Sequence, residues 1–121
     1  MSARPQFSPA NPPPVDQTPL TCEVVPERDA VRVRPVGYLD IATRPVFEQQ
    51  LQDLREAGFR RLIVDLGGLS FMDSTGLRLA LKWDAAARQD GFEIYFIPGP
   101  PAVQRVFELT GMSERVPFIR S

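Results

Sequence analysis

The sequence contains no histidine. That one absence removes Ser-His and Cys-His nucleophilic catalysis, histidine metal sites and histidine-based pH switching together. A single cysteine, Cys22, excludes an internal disulfide and suits a reducing compartment. No apolar run approaches the roughly 20 residues that span a bilayer, and the N-terminus lacks a basic-then-apolar leader pattern. The expectation is a cytoplasmic protein without a membrane partner. An excess of one charge is missing too: fourteen Lys and Arg oppose fifteen Asp and Glu, for a net charge of −1. Nothing global therefore points to nucleic acid. What remains is an ordinary globular composition, 43% hydrophobic and 24% charged over 121 residues, enough for one domain with one core.

Proline divides the chain. Six of its thirteen prolines lie in the first nineteen residues (Pro5, Pro9, Pro12, Pro13, Pro14 and Pro19), so 1–19 is read as a disordered or extended arm and 20–121 as the domain. Residues 20–25 and 31–39 suit strands. The second alternates Val31 and Val33 with Arg32 and Arg34, and Pro35 inside it argues for an edge or a bulge. A helix is expected over 43–57, with Phe47, Leu51 and Leu54 on one face and Gly58 as its stop. Leu62, Ile63 and Val64 form a continuous apolar run, as for a strand covered on both faces. After an apolar loop, 69–72, a second helix runs to about residue 90. A buried strand follows over 92–97. A third helix over 102–110 carries Val103, Val106 and Phe107 on one side, and 116–119 closes the chain. The order β-β-α-β-α-β-α predicts an α/β fold with a small mixed sheet, mainly parallel in its middle.

The informative stretch is GGLSFMDSTGLRLALKW, residues 67–83. Asp73 or Ser74 suits the N-cap of the second helix, where a side-chain oxygen satisfies an orphan N–H. Capping does not explain Gly76 in the first turn, where glycine costs about 1 kcal/mol relative to alanine; something approaches the backbone closely there. A serine nucleophile lacks its usual base, and the flanks match neither Gly-x-Ser-x-Gly nor a P-loop. Asp40, Asp65 and Asp73 are scattered acids that read as caps rather than as a metal site. A helix N-terminus also favours anions, so a phosphate on Ser74 would be well placed. On the helical wheel, Leu77, Leu79, Ala80, Leu81, Trp83, Ala86 and Ala87 occupy the buried arc. Ser74, Arg78 and Lys82 share a polar stripe, which is either a solvated basic face or a docking face with a modifiable hydroxyl at its top.

LIVDLGGLSFMDSTGLRLAL (62–81) with GPPAVQRVFELTGM (99–112) closely resembles the STAS domain of bacterial anti-sigma factor antagonists. VGYLDIATRPVFEQQL (36–51) resembles that family's Gly-x-Leu-Asp segment and first helix. The resemblance spans about 20–120 and implies helices packed mainly on one face of the sheet. It also implies partner switching, without catalysis by the chain itself and without a cofactor or metal. In that family the serine after the aspartate, here Ser74, is phosphorylated by an anti-sigma factor that is also a serine kinase. The unphosphorylated antagonist binds the kinase and frees the sigma factor; a PP2C-type phosphatase restores it. Thr75 is the second choice of acceptor. The implied partner surface is Asp40, Asp73, Ser74, Thr75, Gly76, Arg78 and Lys82, with Gly76 leaving room for the partner. Arg78 departs from the small glycine many members carry there. The chain alone is expected to be a monomer. The alternative is a constitutive STAS subunit of a lipid-transport or signalling-scaffold complex.

Overall fold

The computed structural model describes residues 20–120; the expected proline-rich arm, 1–19, lies outside the described residues. Five strands and three helices form a mixed α/β fold: β1 (Thr21–Pro26), β2 (Val31–Leu39), α1 (Arg44–Glu56), β3 (Arg61–Asp65), β4 (Leu69–Met72), α2 (Ser74–Asp90), β5 (Glu93–Ile97) and α3 (Pro101–Leu109). The strand order is β1-β2-β3-β5, with β4 paired to β2. β1 and β2 are antiparallel and the other pairings are parallel.

Two expectations about the strands change. The 69–72 segment is a strand rather than a loop, and β2 lies inside the sheet rather than at its edge. One feature explains both. β2 pairs with β3 over Val31–Val33 and then with β4 from Gly37 to Leu39, the β4 pairing shifting register between Gly37 and Tyr38. Gly37 has φ 119°, a backbone that favours glycine, and it marks the irregularity. Pro35, with no N–H to donate, falls between the two parallel pairings.

β3 is covered on one face only. Leu62 and Val64 are fully buried, while Ile63 between them is half-buried. Leu62 and Val64 point into the one core that residues of all three helices share, and Ile63 is not part of it. The open side carries Arg32 and Arg34, paired with Glu27 (3.2 Å), Glu23 (3.5 Å) and Asp65 (3.8 and 3.7 Å). An apolar run of three therefore overstates burial when the middle residue faces long charged side chains, whose stems cover it in part.

On the covered side the helical periodicity holds. Phe47, Leu51 and Leu54 of α1, Leu79, Ala80 and Trp83 of α2, and Val103 and Phe107 of α3 join one core with Leu62, Val64 and Phe96. Each fully buried large side chain contributes roughly 1.5–3 kcal/mol. Chain end 116–119 closes the free side of β5: Ile119 N–H donates to Phe96 O (2.8 Å), and the Phe118 ring meets Phe107 edge-on at 5.0 Å. No described helix is long and apolar enough to cross a membrane.

Candidate functional site

Leu39 and Met72 are register partners at the carboxyl ends of β2 and β4. The residues that follow them, Asp40 and Asp73, consequently open two adjacent structures. Asp73 caps α2: its Oδ1 accepts from Thr75 N–H at 2.8 Å, and its own N–H donates to Leu39 O at 3.3 Å. Of the two capping candidates, Asp73 fills the role and Ser74 is the first residue of the helix. Asp40 shapes the entry to α1, accepting from Ala42 N–H (3.0 Å) and Thr43 N–H (3.1 Å). The Thr43 hydroxyl donates back to Tyr38 O at 2.7 Å.

Ser74 is exposed at the start of α2, and Arg78 one turn later donates from Nη2 to its Oγ at 3.3 Å. Lys82, a further turn along, is also exposed and pairs with Glu48 of α1. The expected stripe of Ser74, Arg78 and Lys82 is thus present on one helix face. Thr75 is 8% exposed and faces the interior side of the same turn. Arg78, Lys82 and Thr75 line a cleft of about 290 Å³ with Leu79, Arg44 and Ile41. Ile41 is 76% exposed, and Phe71, three residues before Ser74, is 44% exposed against the Tyr38 ring. The site thus combines an exposed hydroxyl, cations and exposed apolar side chains.

Gly76 does not belong to this surface. It is buried, and a methyl on its Cα would come within 2.5 Å of Met72 Sδ and 3.1 Å of Leu39 Cδ2. The close approach foreseen at Gly76 is that of the protein's own core, so the expectation that it leaves room for a partner is corrected. Arg44, Ile41, Glu48 and Phe71 are the site residues that sequence reasoning missed. The i,i+4 spacing of Arg44 and Glu48 was the only signal available for that pair.

Glu48 ties α1 to α2. Its carboxylate accepts from Arg44 Nε at 3.2 Å, Trp83 Nε1 at 3.3 Å and Lys82 Nζ. Burial pushes its pKa up, but Lys82 and then Arg44 outweigh that, and the group is held below the usual glutamate range. A depressed folded-state pKa adds stability above the unfolded value, near 4.3 for glutamate, and that stability is lost as pH falls through the folded value. Both cationic partners are exposed, 57% for Lys82 and 42% for Arg44, so screening limits the gain to about 1 kcal/mol. Urea titrations at stepped pH check this: Glu48→Gln should lose about that amount at pH 7 and show a flatter decline below pH 4.3 than the native chain. An equal acid slope in the two proteins would exclude the linkage.

Among the described residues no group of three or more Cys, Asp or Glu is arranged to hold a metal, and Asp40, Asp65 and Asp73 each serve a local turn or cap.

The family model described as "Mlab, STAS domain" matches residues 22–120. An anti-sigma-B factor antagonist of Staphylococcus aureus is 34% identical over 95 residues, covering 78% of this chain and 88% of the relative. Among solved structures, an anti-sigma factor antagonist from Mycobacterium paratuberculosis superposes with a TM-score of 0.70 at 23% identity, covering 89% of this chain and 90% of that one. The Bacillus anti-sigma factor antagonist SpoIIAA superposes in its unphosphorylated form with a TM-score of 0.66 at 23% identity (84% and 87% covered). Its phosphorylated form gives 0.60 at 21% identity (84% and 90% covered).

Proposed function

The chain belongs to the STAS domain family, and on that premise we propose that it is an anti-sigma factor antagonist whose affinity for an anti-sigma factor kinase is switched by phosphorylation of Ser74. The observation that carries this reading is an exposed hydroxyl at a capped helix start, beside exposed Ile41 and Phe71 and the cations Arg78 and Lys82. A partner covering that face buries Ser74 at the interface. In the modification step Ser74 Oγ attacks the γ-phosphorus of ATP, the bond to the β-phosphate oxygen breaks, ADP leaves, and a base on the kinase takes the hydroxyl proton. The product carries about −1.5 to −2 charges. Buried against a partner, that charge costs several kcal/mol. The chain itself is a non-catalytic regulator, and a PP2C-type phosphatase would reset it. Asp40 and Asp73 act by holding the two turns, not by touching the partner first. Thr75, nearly buried, is a poorer acceptor than Ser74.

Incubation with the cognate kinase and ATP, followed by mass spectrometry, tests the assignment. The native chain should gain one phosphate on the peptide holding Ser74, and Ser74→Ala should gain none. Equal labelling of the two proteins would refute it. A constitutive subunit of a lipid-transport or scaffold complex would instead stay unlabelled and co-purify with membrane-transport subunits.

A further inference from the structure

We propose that the cleft beside Ser74 is a built-in receptor for the phosphate of phosphoserine 74, with Arg78 as its principal ligand and Arg44 on its far wall. This rests on the reading of Ser74 as the acceptor and adds what happens to the phosphate afterwards. Three observations carry it.

The first is reach. Arg78 Nη2 already lies 3.3 Å from Ser74 Oγ. A phosphoryl group on that oxygen places its terminal oxygens beside the guanidinium, whose planar fork suits a phosphate bidentately.

The second is charge. Arg44, Arg78 and Lys82 line the cleft. Glu48 engages Arg44 and Lys82, which leaves three cations against one carboxylate, a local balance of +2. Asp73 and Asp40 flank the site, but their carboxylates are turned to the backbone N–H groups of Thr75 and of Ala42 and Thr43. Arg78 forms no ion pair among the described residues, so its guanidinium is available to the phosphate without breaking one. A dianionic phosphate fits that balance.

The third is the helix end at the cleft. Thr75, more than nine-tenths buried, is one of the lining residues, and it lies in the first turn of the seventeen-residue α2. The positive end of the helix adds to the same field.

The consequence is a double change at the docking face. Phosphorylation adds the phosphate and at the same time withdraws Arg78, which in the unmodified chain is exposed and open to a partner carboxylate. Lys82, two turns from Ser74, stays with Glu48 and contributes field rather than contact.

The test needs no kinase. Phosphoserine is installed at position 74 during translation, and the second ionisation of the phosphate is followed by phosphorus NMR against pH. Charge-assisted contacts to the dianion lower that midpoint. In the native background it should lie at least about 0.5 pH below that of the phosphorylated Arg78→Ala protein, with Arg78→Lys in between because it supplies charge without the fork. Arg78 is exposed, so the variants should fold, and their circular dichroism should match the parent. Identical midpoints in the native and Arg78→Ala proteins would overturn the receptor, whatever a kinase does. Failure of a kinase to label Ser74 would instead sink the acceptor reading and leave a measured midpoint difference standing.

Discussion

Gly76→Ala is expected to destabilise the domain by up to about 2 kcal/mol net, although alanine is the better helix former. Two effects oppose one another. Alanine in a helix interior gains about 1 kcal/mol over glycine. Against it, the new methyl meets Met72 Sδ at 2.5 Å and Leu39 Cδ2 at 3.1 Å, inside the core. Met72 is 4% exposed and Leu39 1% exposed, so neither has solvent to move into, and overpacking of this kind costs roughly 1–3 kcal/mol. Crowding wins unless the neighbour is removed. In a Met72→Ala background the same substitution should become neutral or stabilising by up to about 1 kcal/mol, because the Met72 atoms crowding it are gone. Urea unfolding of the four proteins forms a double-mutant cycle. A cost for Gly76→Ala that is unchanged between the two backgrounds would show that the glycine serves something other than this packing.

That cycle bears on how the site reads from sequence. A cap at Asp73 or Ser74, and Ser74, Arg78 and Lys82 as one stripe, were legible because they depend only on helical period and cap chemistry, both local. The buried arc of α2 was legible for the same reason, with Leu81 and Ala86 half-buried rather than buried. Gly76 was legible as a close approach but not as to whom, since Met72 and Leu39 meet it only after β2 and β4 have paired. β4 itself has four residues, two buried at its ends and two exposed between, so it shows no alternation. The division of β2 between β3, over Val31–Val33, and β4, over Gly37–Leu39, leaves no periodic trace. Arg44 and Ile41 meet Arg78 and Lys82 only across the cleft that all four line. A one-dimensional pattern records which residues share an element's face; it does not record which two elements' faces meet.

The largest effect on binding should come from charge at position 74 itself. Phosphoserine at Ser74 is expected to weaken the complex with the anti-sigma factor kinase by about a hundredfold or more, close to 2.7 kcal/mol, and Ser74→Glu by about tenfold. Ser74→Ala should bind within about threefold of native. The ranking follows from the charges: near −2 for phosphate, −1 for glutamate and none for alanine. Fold stability should move little, because the N-terminus of α2 favours an anion by about 0.3–1 kcal/mol. The loss therefore belongs to the interface and not to unfolding of the antagonist. On the proposed interface, exposed Ile41 and Phe71 would supply apolar area for docking, and a hydrated dianion at position 74 would keep that area from closing. Calorimetric titration of the four proteins into the kinase, with urea midpoints measured on the same samples, separates the two possibilities. Weakened binding with unchanged midpoints is the expected result. Affinity that falls only in step with stability would place the switch in the fold and remove the interface from the mechanism, and equal affinities across the series would remove Ser74 from it.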